Sequence, residues 1–248
     1  MNARRLGFGL FTLAIVAVLI GLGFWQLQRR AEKHALIAAL DERLAVTPVP
    51  LEDAFRSARE RELYPQDVEF RRVTFTATYA RLPDAMVYSA GSGVRDDISG
   101  PGTWAFLPAR LSTGETVVIN AGFVQNTMQD RAMEDRAVAR LVTDQPVTLT
   151  GYIRFPEHAG LITPAPNVDK RLWFNRDHQA MANQLGWDVV MPFYIDLETP
   201  VPPSGIPKPG PLHVRLKDDH LQYAITWFGL AAVMTIAFGL WLRAQRQG

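Results

Sequence analysis

The residues with the widest chemical range in this chain are its five histidines, His34, His158, His178, His213 and His220; there is no cysteine. Without cysteine there are no disulfides, no thiolate copper or zinc sites, and no covalent haem attachment through C-x-x-C-H. No two of the histidines have ligand spacing on one helix, so they do not read as a zinc or copper centre. His34 lies in a charged helical stretch and His178 follows Asn175-Arg176-Asp177 at a helix start, where a cap or surface role suffices. His158 and His213 flank loops. Walker, G-x-S-x-G, H-E-x-x-H and G-x-G-x-x-G motifs are absent. Asp96 and Asp97 are adjacent, which suits a solvated loop better than an acid–base pair. Gly100-Pro101-Gly102 reads as a tight turn. With no nucleophile–base pair visible, the chain is not expected to be an enzyme.

His220 differs by its position. It is the last ionisable residue before the 22 uncharged residues Leu221–Leu242. On a helix, His220, Tyr223, Ala224, Trp227, Ala231 and Met234 share a face. Asp218 and Asp219 precede it, where acids cap a helix and complement its dipole. Two chemistries are open. The ring and its aromatic neighbours can form an interfacial belt. Alternatively the imidazole can ligate a haem iron, His220 being the candidate metal ligand and Tyr223 and Trp227 the pocket wall.

The elements that position these residues begin with two apolar runs. Leu6–Gln28 holds 23 residues without a charge, and Leu221–Leu242 is the second run. Each reaches roughly 33 Å as a helix, enough to cross a bilayer core. The first run is followed by no small-x-small site, so an uncleaved anchor is expected rather than a signal peptide. Arg4 and Arg5 at one end, and Arg243 and Arg246 at the other, place both termini in the cytoplasm under the positive-inside rule. The expected organisation is therefore transmembrane helix 1 over residues 6–28, an outer-face domain over 29–220 and transmembrane helix 2 over 221–242. That places the central domain in the periplasm of a bacterium or the intermembrane space of a mitochondrion, and the expected location is the inner (plasma) membrane of a bacterium with the domain periplasmic.

The fold class expected for that domain is α+β, mostly antiparallel, flanked by the two transmembrane helices. Helical spacing continues past the first span to about Ala45 and stops before Pro48 and Pro50. A short helix is predicted at Leu51–Arg59. Period-two alternation predicts a strand at Phe70–Tyr79, and others at Ala85–Ser89, Val147–Phe155 and Pro192–Leu197. Thr103–Leu111 and Thr116–Val124 read as a hairpin around Ser112–Glu115. Further helices are predicted at Met128–Leu141 and at Asp177–Leu185, the latter ended by Gly186. Six prolines in Pro200–Pro211 predict a stiff extended connector rather than packed structure.

Several of these segments together resemble the surfeit locus protein 1 family, called Shy in yeast. Leu22-Gly23-Phe24-Trp25-Gln26 with Arg29 and Lys33 resembles that family's exit from its first span. Gly100-Pro101-Gly102 with Phe106-Leu107-Pro108 resembles its central signature, and Leu172–Gly186 its W-x-x-x-D helix. His220-Leu221-Gln222-Tyr223-Ala224-Ile225-Thr226-Trp227-Phe228 is close to its most specific motif. Two departures stand out. Asn120-Ala121-Gly122-Phe123 replaces the family's asparagine-arginine-glycine-tryptophan, and Asp218-Asp219 replaces a pair that is commonly asparagine. The acids would favour a protonated His220.

The resemblance implies an assembly factor for haem–copper cytochrome c oxidase, assisting haem a insertion into subunit I. It implies transient haem a binding through His220 and Trp227, with haem a synthase, subunit I and the lipid bilayer as partners and no nucleic acid. Arg29 and Arg30 would pair with the haem propionates. Close approach of the spans would use Ala14, Ala17 and Gly21 against Ala224 and Ala231. The alternative is a cofactor-free, membrane-anchored scaffold that binds subunit I or the synthase through exposed hairpin edges near Val117–Val124.

Overall fold

A computed structural model describes residues 3–60, 65–92, 95–125, 131–213 and 218–247. In chain order the elements are α1 (Ala3–Ala45), β1 (Val49–Pro50), α2 (Leu51–Glu60), β2 (Arg72–Tyr79), β3 (Ala85–Ser89), β4 (Gly102–Leu111), β5 (Thr116–Gln125), α3 (Arg131–Ala139), β6 (Val147–Arg154), β7 (Leu172–Trp173), α4 (His178–Leu185), β8 (Val190–Thr199) and α5 (His220–Gln247). They fall into two units, Leu40–Arg215 and a helix pair of Met1–Ala39 with Leu216–Gly248.

The larger unit is a mixed, mostly antiparallel sheet with helices, as the alternation of its strands predicts. What the alternation did not reveal is closure. The strands run β1-β2-β6-β8-β5-β4-β3-β7, and β2 also pairs with β4 through Ala77–Leu111, Thr78–Arg110 and Tyr79–Ala109. That extra pairing joins β2, β6, β8, β5 and β4 into a ring, a small barrel whose interior is filled by side chains. Val73, Leu107, Ile119, Leu149, Ile153, Phe193 and Ile195 supply much of that interior. A second cluster, with Trp104, Phe106, Val118, Trp173, Trp187 and Tyr194, packs outside the ring. Strands β4 and β5 are consequently buried on both faces.

This overturns the expected exposed hairpin edge. β5 is flanked by β4 on one side and by β8 on the other, and Val117, Val118, Ile119 and Val124 are fully buried. Its backbone groups are spent on the two neighbours, so no free edge remains there for a partner. The connector expected at Pro200–Pro211 is also packed in part. Phe123 and Lys208 exchange backbone hydrogen bonds of 3.1 and 2.8 Å, and the Gly210 N–H donates to Leu197 O at 3.1 Å. Gly122 permits this. It sits at φ 128°, and a Cβ there would lie 2.3 Å from the Lys208 backbone.

Local signals account for the element ends. Asp177 caps α4 by accepting from the Ala180 N–H at 3.0 Å, and Gly186 closes it at φ 71°. α1 runs through to Ala45 before the prolines, as its spacing predicts. The helix expected at Met128–Leu141 begins, among the described residues, at Arg131; residues 128–130 lie outside them. α1 and α5 are each long and apolar enough to cross a membrane.

Candidate functional site

In the helix-pair unit α1 and α5 pack antiparallel. Phe8 meets Trp241 at 4.9 Å, and Phe24 meets Phe228 edge-on at 5.4 Å. The contact stripe on α1 runs through Thr12, Leu19, Gly23, Gln26 and Arg30, and on α5 through His220, Ala224, Trp227, Ala231 and Met234. Ala224 and Ala231 are buried as expected. Ala14, Ala17 and Gly21 are not in the contact; all three are exposed. Gln26 meets His220 on α5, and Arg30 meets Asp218 just before that helix. The face that carries those two continues through Gly23 and Thr12. A Cβ on Gly23 would stand 2.5 Å from the Phe228 ring, so this glycine is where the helices approach closely.

α5 starts at His220 because Asp218 accepts from the His220 backbone N–H at 3.0 Å. The His220 Nδ1 lies 2.7 Å from Gln26 Oε1. A carbonyl oxygen only accepts, so in the neutral ring the proton sits on Nδ1 and the lone pair on Nε2. Among the described residues Nε2 has no hydrogen-bond partner. Asp218 turns its other oxygen to His34 Nε2 at 2.6 Å, with Arg30 Nε at 3.4 Å. The hydrogen bond from His34 holds the Asp218 carboxyl below its ordinary range. Asp218 thus spends its charge on His34 and Arg30, and it meets His220 through the backbone rather than the ring.

Of the residues singled out from sequence, His220 and Trp227 lie on the same stripe of α5, and Arg30 meets Asp218 just before that helix at 3.4 Å. Arg29 does not join them: it pairs with Glu32 at 2.9 Å on its own helix and lies 5.8 Å over Trp25. Tyr223 is 54% exposed, off the contact face. Trp227 Nε1 is buried without a hydrogen-bond partner among the described residues. An apolar groove of about 410 Å³ runs between the helices past Ile20, Phe228, Ala231 and Ile236. Gln26 and His34 were missed from sequence. Their partners are 194 and 184 residues away, and no local spacing announces such a pair.

The barrel unit holds a buried polar cluster that the sequence also concealed. Asp196 accepts from Asn120 Nδ2 at 2.6 Å and from Arg154 Nη1 at 3.1 Å, with Arg176 Nη1 at 3.7 Å. Arg95 is buried and binds Asp97, which is therefore more than a solvated loop acid, together with the carbonyls of Pro209 and Gly210. His178, expected at the surface, is fully buried; its Nε2 donates to Met191 O at 2.9 Å. Burial lowers its pKa.

A model of the SURF1 family matches residues 13–232. That span contains Gln26, Arg30, His220 and Trp227 together with the whole barrel. The chain belongs to the surfeit locus protein 1 family. It is 32% identical to the rat surfeit locus protein 1 over 237 residues, covering 94% of this chain and 74% of the rat protein. To the human surfeit locus protein 1 it is 30% identical, covering 95% of this chain and 77% of the other. A SURF1-like protein of the bacterium Rickettsia bellii is 25% identical, with 95% and 90% covered. The match to the family model therefore reaches into both units.

Proposed function

We propose that this chain is a membrane-anchored assembly factor for haem–copper cytochrome c oxidase that carries haem a in transit to subunit I. In this reading it sits in a bacterial inner membrane with both termini cytoplasmic and the barrel periplasmic, and it works beside haem a synthase. The observation that carries the reading is the Gln26–His220 hydrogen bond, which leaves the Nε2 lone pair uncommitted. A neutral imidazole nitrogen is an ordinary axial ligand for haem iron.

The residues present fit such a cargo. Trp227 offers a buried N–H that lacks an acceptor among the described residues, and Arg30 a buried Nε that meets Asp218 only as an ion pair at 3.4 Å. The groove beside Phe228 and Ala231 is apolar, as a prenyl tail requires. His220 would hold the iron, Arg30 would meet a propionate and Trp227 would bound the ring. Arg29 and Tyr223 would contribute headgroup anchoring.

The test is an absorption spectrum of the purified full chain made together with haem a synthase. A Soret band is expected, and His220→Ala should abolish it; a band unchanged in that variant would overturn the ligand assignment.

A cofactor-free scaffold is the second reading. It is favoured by a cavity of about 780 Å³ between α2 and the barrel, lined by Phe55, Phe75, Leu111, Met191 and Phe193. Under that reading, exchanging both spans for unrelated ones leaves oxidase assembly intact.

A further inference from the structure

The flank of the barrel carries a second cavity, of about 280 Å³, lined among others by Tyr88, Trp104, Arg154, Glu157, Phe174 and Arg176. Its chemistry turns on Arg176. The Arg176 side chain is only 13% exposed, yet its guanidinium makes no hydrogen bond among the described residues. The nearest acids stand off, Asp196 at 3.7 Å and Glu157 at 3.9 Å. Asp196 is already committed, with one oxygen to Asn120 and the other to Arg154. Arg154 is in turn occupied by Asp196 and Glu69. Arg176 is thus held in the cluster by ion pairs alone, without a hydrogen bond among the described residues.

Asp196 and Glu157 meet the Arg176 charge only as ion pairs at 3.7 and 3.9 Å, and a charge-assisted hydrogen bond is stronger than such a pair. The guanidinium carbon lies 5.0 Å from the centroid of the Trp104 ring, within cation–π range. A planar fork of N–H donors is matched by a carboxylate. The walls beside it are aromatic, with Tyr88 and Phe174 6.2 Å apart. Glu157, with a 48% exposed side chain, keeps a negative charge nearby and disfavours a dianion such as phosphate.

The geometry points to a carboxylate-binding site in this cavity, with Arg176 as the anchor and the aromatic walls taking an apolar or aromatic body. The carboxylate is supplied by a free organic acid or by the C-terminus of a peptide. The reading is independent of the haem proposal and uses none of its residues.

The full chain in detergent micelles is titrated with sodium benzoate, N-acetylphenylalanine, N-acetylphenylalanine amide and inorganic phosphate. Binding is followed by calorimetry and by the indole N–H resonance of Trp104. Saturable binding of the first two probes, with a shift of Trp104, is expected, and no binding of the amide or phosphate. N-acetylphenylalanine binding tighter than benzoate supports a peptide end as the source; equal or tighter benzoate binding supports a free acid. Arg176→Gln should weaken binding at least about tenfold, as loss of a charge-assisted pair implies. Glu157→Gln, which removes the competing charge, should strengthen it. If Arg176→Gln fails to fold, the wild-type titration and Glu157→Gln still decide. Equal binding of the amide or phosphate, no binding of any probe, or weaker binding in Glu157→Gln would each overturn the site.

Discussion

Gln26 Oε1 and His220 Nδ1 lie 2.7 Å apart, joining the two long helices through residues 194 positions apart in sequence. In the neutral ring the bond selects the Nδ1–H tautomer and leaves the lone pair on Nε2. Gln26→Ala removes the acceptor, at a cost of about 1 kcal/mol for the lost hydrogen bond. Nitrogen NMR of histidine-labelled protein should show His220 as the Nδ1–H tautomer in the wild type and as a mixture in the variant. A ring that stays wholly Nδ1–H in Gln26→Ala would remove Gln26 from the site.

Gly23 and Phe228 set how closely the helices pack. A Cβ at position 23 meets the end of the Phe228 ring, a side chain that can give way, so Gly23→Ala should cost only about 1 kcal/mol. Gly23→Ile should separate the helices, which is read as loss of cysteine cross-linking between engineered sites on the two. Phe228→Leu should recover much of the loss, giving a coupling of roughly 0.5–2 kcal/mol in a double-mutant cycle. Simple additivity of the two changes would contradict the contact.

His178 gives the barrel a pH dependence of definite sign. Burial disfavours its charged form, so its pKa in the folded chain lies below the ordinary value. The unfolded chain takes up that proton near pH 6.5, and stability is undiminished above that value. It declines as pH falls through about 6.5 and levels off below the folded pKa. Urea midpoints on either side of pH 6.5 should show the decline in the wild type, and a flatter profile in His178→Gln. The same slope in both proteins would assign the acid sensitivity elsewhere.

Gly122→Ala tests the seat of the proline-rich segment. The added carbon would stand 2.3 Å from the Lys208 backbone, at a φ that side chains rarely adopt. Neither obstacle yields by a rotamer change, so a loss of roughly 2–4 kcal/mol is expected, visible as a lower urea midpoint. A midpoint within experimental error of the wild type would show that the segment does not press on β5 in solution.

Much of the fold was legible because its signals are local. The two apolar runs, the helix continuing to Ala45, the Ser112–Glu115 hairpin and the Asp177 and Gly186 caps each follow from residues a few positions apart. The site was legible only by halves. His220 stood out by its place at the start of an apolar run, and Arg30 by its place near the end of another.

What the sequence by itself determined is therefore the longer helices and strands (though not the two-residue strands β1 and β7), the two membrane-length helices and the histidine at the start of the second. Period, charge and capping are properties of neighbours along the chain. Only the tertiary structure decided the rest. Pairing of β2 with β4 closed the barrel and buried β5, which the sequence presented as an edge. Packing of α1 on α5 chose Gly23 over Gly21 as the close approach and turned Arg29 and Tyr223 off the contact face. Hydrogen bonding across 194 residues gave the neutral His220 ring its tautomer, and a crowded Asp196 left Arg176 with ion pairs but no hydrogen bond among the described residues. Each of these depends on which distant groups compete for the same donor, acceptor or volume, and that competition begins only once the chain has folded.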